Sequence, residues 1–249
     1  PIVLVCIFGC SSQPVTNEPK RLVTKVEPNS NGIQVTKIVL NPITKNPLDQ
    51  LCKFGFAIEQ KSNVANLQIE GVEVRRIQSI DLPAIETSIG DVTQRSNVWH
   101  GQILKWRDIQ QHRIPHQGLL VAKSGIPHFI DTGFLSLLAR SWLLQREDGL
   151  YVYLQLLPSW HVPSRQSVIA GRNTSPAQSK LFSELGLEFL LTDGEAIILA
   201  VDMNQEEQLS GPIDDGPAPV RLGEAMLGIS VEKNKVVLLV IEANILFRE

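Results

Sequence analysis

Cysteine, tyrosine and methionine are scarce in this chain, with 3, 2 and 2 among 249 residues. Three cysteines, Cys6, Cys10 and Cys52, cannot build the dense disulfide framework of a small secreted scaffold. No two pairs of cysteine or histidine make a zinc-finger pattern, and there is no glycine-rich phosphate loop with its lysine and no nucleophile elbow, so the commonest signatures of metal, nucleotide and acyl-transfer chemistry are missing. Charge of one sign is not concentrated either. The 23 basic and 26 acidic residues, net charge −3, are dispersed, which leaves no basic stripe for nucleic acid and no polybasic patch for anionic lipid. No internal repeat of 20–50 residues is present.

What is present suffices for a folded body: 43% of residues are hydrophobic, enough for one large core or two small ones. The chain opens on an apolar run, Ile2 to Phe8, that stops at Gly9-Cys10 and turns polar at SSQP. Seven residues cannot span a bilayer, which takes about 20, whereas the apolar core of a secretory signal needs only about 7 to 15. Residues 1–9 therefore read as the remnant of a signal peptide. Ile7-Phe8-Gly9-Cys10 resembles the lipobox of bacterial lipoproteins. That resemblance implies that Cys10 becomes the mature N-terminus and is acylated, where each buried methylene contributes roughly 0.8 kcal/mol and two chains anchor stably. The alternative is a first strand over residues 2–9 with Cys10 in an ordinary turn. Residues 10–31, with Pro14, Pro19 and Pro28, read as a tether.

Past the tether, the pattern predicts a β-rich α+β protein with short helices in the first half and antiparallel hairpins in the second. Ile33 to Leu40 is rich in β-branched residues and stops at Asn41-Pro42. Asn46-Pro47 opens a helix that carries Leu48, Leu51 and Cys52 on one face and closes at Gly55 in the left-handed conformation. A second short helix is expected over Ser62 to Gln68 and a strand over Val72 to Ile77, with Pro83 ending that segment. Between Ile85 and Gly118 periodicity is weak, and Trp99 to Trp106 around Gly101 favours strand and turn.

Leu119 to Lys123 is a strand. Phe134 to Arg146 and Leu150 to Leu157 form a hairpin across Glu147-Asp148-Gly149, the second arm covered on both faces and ended by Pro158. A loop over 161–176 is followed by a helix over Ala177 to Leu185. Leu187 to Thr192 and Ala196 to Val201 form a hairpin across Asp193-Gly194-Glu195. After an exposed loop at 205–219, strands Val220 to Ile229 and Lys235 to Phe247 pair across Glu232-Lys233-Asn234. A boundary near 115 divides the body into 32–115 and 116–249, as two parts or as one continuous domain. The order of strands in the last hundred residues, with LEFLLTDGEAIILAVD at its centre, is similar to the β-domain of bacterial secretins, and implies a related periplasmic sheet.

Catalytic chemistry has two candidates. Phe129-Ile130-Asp131-Thr132-Gly133 resembles the active-site turn of aspartic proteases, in which two such carboxylates share a proton. The sequence holds no second Asp-Thr-Gly or Asp-Ser-Gly, and Asp-Thr-Gly before a strand is also ordinary turn chemistry. Asp108, His112 and His116 recur at intervals of four, but Pro115 breaks the helix that would stack them as metal ligands; satisfied or solvated histidines are the better reading. Cys52, in an apolar-periodic stretch, reads as a buried hydrophobe. Trp99, Trp106, Trp142 and Trp160 could form an aromatic surface for sugar or peptide, and Trp160-His161 is the first place to look. The expectation is a non-enzymatic, lipid-anchored protein of the cell envelope, facing the periplasm or on the outer membrane, with no cofactor and no bound nucleic acid. It meets the membrane through its N-terminal lipid and binds another envelope component.

Overall fold

In a computed structural model, residues 30–56, 58, 61–162, 178–203, 219–228 and 234–246 are described. The signal remnant, Cys6, Cys10, the tether to residue 29, most of the loops at 161–176 and 205–219, and the Glu232-Lys233 turn lie outside them.

The chain forms β1 (Gly32–Pro42), α1 (Pro47–Leu51), α2 (Lys61–Ile69), β2 (Glu73–Gln78), α3 (Leu82–Ile89), β3 (Gly90–Gly101), β4 (Ile103–Arg113), β5 (Leu119–Lys123) and β6 (Ile126–Ile130). It continues with β7 (Phe134–Arg146), β8 (Gly149–Val162), β9 (Gln178–Leu181), β10 (Leu187–Leu191), β11 (Glu195–Asp202), β12 (Val220–Arg221), α4 (Leu222–Gly228) and β13 (Val236–Asn244). This is the β-rich, mostly antiparallel α+β fold that the sequence predicts. Three sheets result, in the orders β2-β11-β13-β1-β3, β10-β8-β7-β4 with β9 also beside β8, and β12-β5-β6. Both larger sheets draw strands from each side of residue 115.

The first two sheets pack face to face. Val35, Ile197, Leu199, Val237, Leu239 and Ile241 share one core with Leu135, Leu137, Val152, Leu154, Leu156 and Phe189. The other face of the first sheet buries Ile38, Ile198, Ala200, Leu238 and Val240 against Leu51, Ile85 and Ile89 of α1 and α3. All eight residues of β11 are buried, as a strand covered on both faces must be. Truncating Ile198 or Leu239 to alanine would cost about 2–5 kcal/mol.

Several expectations give way to tertiary pairing. Strands β10 and β11 flank Asp193-Gly194-Glu195 but do not form a hairpin: β10 pairs with β8 and β11 with β2 and β13. The turn carries the chain from one sheet to the other. It is held there because Ser79 N–H donates to the Gly194 carbonyl (2.7 Å) and Ile245 N–H to Asp193 Oδ1 (2.7 Å). β13 likewise pairs with β1 and β11 rather than with a strand over 220–229. Most of that segment is helix, because LGEAML is rich in helix formers and Leu222, Ala225 and Met226, at i, i+3 and i+4, are all buried.

Pro158 does not end β8, which runs on to Val162. It lies opposite Leu137 on one side; on the other, β10 stops at Leu156 and β9 starts at Ser159, so its missing N–H falls in the gap between partners. β8 is also buried on one face only, with Val152, Leu154, Leu156 and Pro158 inward while Tyr151, Tyr153, Gln155 and Leu157 are half-buried outside. Gln178–Leu181 is strand, not helix, because it pairs with the end of β8, and only Ser183–Leu185 makes a helical turn. Pro83 opens α3 instead of closing a segment. α1 ends at Cys52 with right-handed angles (φ −61°, ψ −20°), and Gly55 is not left-handed. The Trp99–Trp106 stretch is strand, turn and strand as expected, with Gly101 at φ +64°. Its two strands nonetheless belong to different sheets.

Candidate functional site

The hairpin β7–β8 sends alternate residues outward from the second sheet. Register places Arg140 opposite Gln155, Trp142 opposite Tyr153 and Leu144 opposite Tyr151. Among the described residues no further layer covers these side chains, and they bury one another. The Trp142 and Tyr153 rings lie 4.7 Å apart, inclined by 54°. The Arg140 guanidinium sits 4.8 Å from the Trp106 ring and 5.5 Å from the Trp142 ring, a cation–π arrangement that fixes both indoles.

Hydrogen bonds extend this order across the face. Arg140 Nε donates to Gln155 Oε1 (2.7 Å), and its Nη2 to the same oxygen. Gln155 Nε2 in turn donates to Glu188 Oε1 on β10 (2.7 Å), and the Tyr153 hydroxyl donates to Glu188 Oε2 (2.6 Å). Burial and the bond to Glu188 push the Tyr153 phenol up, so it remains a donor at neutral pH.

Two depressions meet at Glu188. The larger, about 720 Å³, is lined by Phe56, Tyr151, Tyr153, Arg76, Arg146 and Glu195 among others; the smaller, about 380 Å³, has Trp106, Gln155 and Asn63 in its wall. The first lies within the range of small-molecule sites. Its floor is tied by Arg76 on β2. Arg76 donates to both carboxylate oxygens of Glu195 (3.1 and 2.6 Å) and to the Leu190 carbonyl of β10 (2.6 Å), so one side chain joins the edges of the two sheets. Burial pushes the Glu195 carboxyl up. The bonds from Arg76 and Thr192 outweigh that and hold it below the usual carboxylate range. Arg146 lies 5.9 Å from the Tyr151 ring and forms no ion pair among the described residues.

Of the residues singled out from sequence, Trp106 and Trp142 belong to this face, while Trp160 and His161 lie elsewhere. His161 stacks on Phe134 at 5.6 Å. Trp160 lines a separate pocket of about 160 Å³ together with Asp131, His128 and Phe129. Asp131 of the Asp131-Thr132-Gly133 turn therefore lines the Trp160 pocket, but among the described residues no second carboxylate bonds to it. Gly133 is buried where a Cβ would meet the His161 carbonyl at 2.6 Å, which accounts for the glycine of Asp-Thr-Gly by packing.

Asp108, His112 and His116 do not converge. His112 is buried on β4 with Nε2 2.7 Å from Gln110 Nε2 and 3.2 Å from the Leu227 carbonyl, whereas Asp108 and His116 are exposed. Burial, then the charge of Lys37, push the His112 imidazole down to about 4, against the opposing pull of the Leu227 carbonyl. Among the described residues no three His, Cys, Asp or Glu side chains are placed to hold a metal ion. Cys52 is exposed rather than buried, its sulfur accepting a hydrogen bond from Arg75 Nη2 at 2.8 Å. The five-residue α1 buries Pro47 and Leu51, and the next residue turns away from that face.

Sequence reading missed Tyr151, Tyr153 and Arg140. The available signal was their alternation with Val152 and Leu154 on an arm whose partner strand alternates Arg140, Trp142 and Leu144. Compared with protein-family models, with curated proteins and with solved structures, the chain matches none of them.

Proposed function

We propose that the chain is a non-enzymatic lipoprotein of the bacterial cell envelope whose body holds saccharide along the outer face of the second sheet. The observation that carries the binding role is the continuous array of Trp106, Arg140, Trp142, Tyr153, Gln155 and Glu188 between two depressions. A sugar ring offers an apolar C–H face for aromatic rings and adjacent hydroxyls for carboxylate, amide and guanidinium groups. This surface supplies both sets in fixed positions, and preorganised groups lose little freedom on binding. Two depressions sharing one carboxylate suit an oligosaccharide better than a single sugar. The lipobox-like Ile7-Phe8-Gly9-Cys10 supports anchoring by two or more acyl chains on Cys10.

Calorimetric titration of the full chain with soluble fragments of bacterial envelope glycans tests the binding role. Saturable binding that Trp142→Ala weakens tenfold or more is expected, and silence across the panel overturns it. Mass spectrometry of protein from its native host tests the anchor. A diacylated N-terminal Cys10 is expected, and an unmodified thiol refutes that half of the reading.

A further inference from the structure

The pocket beside Trp160 is a second site with different chemistry. Its walls are Val121, Phe129, Ile130, Trp160, Phe182 and Leu222. At about 160 Å³ it is close to the size of an apolar cavity that takes one benzene ring, roughly 150 Å³. The walls are rigid for identifiable reasons. Val121 and Leu222 belong to the main core, and Trp160 packs against it. The Trp160 indole nitrogen is buried, lying 2.9 Å from where a Gly133 side chain would begin.

Charges are distributed unevenly among the lining residues. Lys123 is paired with Glu184 and lies 5.4 Å from the Phe182 ring, so its charge is compensated. Lys180, on the short strand β9, lies 5.5 Å from the same ring and forms no ion pair among the described residues. Asp131, just past the end of β6, likewise has neither an ion pair nor a hydrogen bond among them. Both Lys180 and Asp131 are exposed, which places them at the solvent side of an apolar pocket. One cation, which feels Glu184 only at longer range, and one anion, neither in an ion pair among the described residues, therefore flank a hole the size of a single branched or aromatic side chain. His128 completes the rim.

The geometry points to a site for the zwitterion of an apolar α-amino acid, its side chain against Trp160 and Phe182, its carboxylate towards Lys180 and its ammonium towards Asp131. A ligand with one charge satisfies only one of the two rim groups and leaves the other facing a like or absent partner. A zwitterion satisfies both, and the apolar walls reject polar side chains, which would lose their hydrogen bonds to water there. This site is independent of the saccharide face and survives its failure.

Titration of the ¹⁵N-labelled full chain tests the inference, following the Trp160 indole resonance as assigned with Trp160→Phe. L-Leucine should shift that resonance saturably. The acid 4-methylpentanoate and the amine 3-methylbutylamine, each lacking one charge, should bind at least tenfold more weakly. Lys180→Gln should abolish the preference for leucine over the amine, and Asp131→Asn the preference for leucine over the acid. Both are surface substitutions, and an otherwise unchanged spectrum reports that each variant is folded. No saturable shift with leucine, valine, isoleucine or phenylalanine overturns the inference, as does equal binding of either single-charge analogue.

Discussion

Trp142 and Tyr153 face each other across the β7–β8 pair, their ring centroids 4.7 Å apart and inclined by 54°. The contact lies on the side of the second sheet that no other described element covers, where Arg140 lies over the indole and Gln155 bonds the Tyr153 hydroxyl. Trp142→Ala should cost about 0.5–1.5 kcal/mol of stability from the lost ring contact. The expected loss of saccharide affinity is tenfold or more. Chemical denaturation and calorimetry on the same variant separate the two effects, and an affinity loss matched by global unfolding would remove the functional role.

Arg76 joins the two sheets at the floor of the larger depression. Arg76→Ala should destabilise by about 1.5–3 kcal/mol, the range for a hydrogen bond to a charged group, since it leaves the Glu195 carboxylate without its guanidinium partner and frees the Leu190 carbonyl. A pH signature accompanies it. The folded Glu195 carboxyl titrates below its unfolded value, so the stability it confers is present above about 4.5 and is lost as pH falls through the folded value. Urea titrations across pH 3–6 should show that acid loss in the parent and less of it in the variant.

His112 gives the same sign by the opposite chemistry. Its imidazole charges near 6.5 in the unfolded chain and only at about 4 in the folded one. Between those values the unfolded state binds the extra proton, so stability falls as pH drops from 6.5 towards 4 and levels off below. His112→Gln should flatten that segment of the stability profile. An unchanged slope would mean that another group titrates there.

Gly133 approaches the His161 carbonyl and the Trp160 indole too closely for any side chain. Gly133→Ala should cost about 1–3 kcal/mol through overpacking, measured as a lowered denaturation midpoint. A neutral effect would show that the strand ends there can separate freely.

Cys52 is exposed, held by Arg75 rather than by apolar neighbours. In a Cys6→Ser, Cys10→Ser double variant of the full chain, a thiol reagent should label one equivalent without denaturant. Protection until unfolding would restore the buried reading.

Strand identity was legible along most of the chain because side-chain direction alternates with a period of two and apolar residues follow it. Ile33 to Leu40, Phe134 to Arg146 and Ala196 to Val201 all lie in strands of nearly those lengths. The helix at Leu222–Gly228 was missed because a single polar residue, Glu224, in seven gives little contrast between faces, and helix and strand patterns then coincide. Of the binding face, Trp106 and Trp142 were visible as aromatics. Trp160, chosen with them, turned out to belong to a different pocket.

The sequence by itself determined the β-rich α+β class, the positions of β1, β7 and β11, and the absence of familiar catalytic spacing, since each depends on a few neighbouring residues. The β7–β8 hairpin apart, only the tertiary structure decided which strands pair, because backbone donors and acceptors are the same in every strand and a partner is chosen by how whole faces pack. The turn at Asp193-Gly194-Glu195 shows the difference: local chemistry specifies a reversal of the chain, and burial of β11 between two layers sends the reversed strand into another sheet. The same choice leaves one side of β7 and β8 without a covering layer among the described residues, and sets Trp142, Tyr153 and Arg140 side by side on that face.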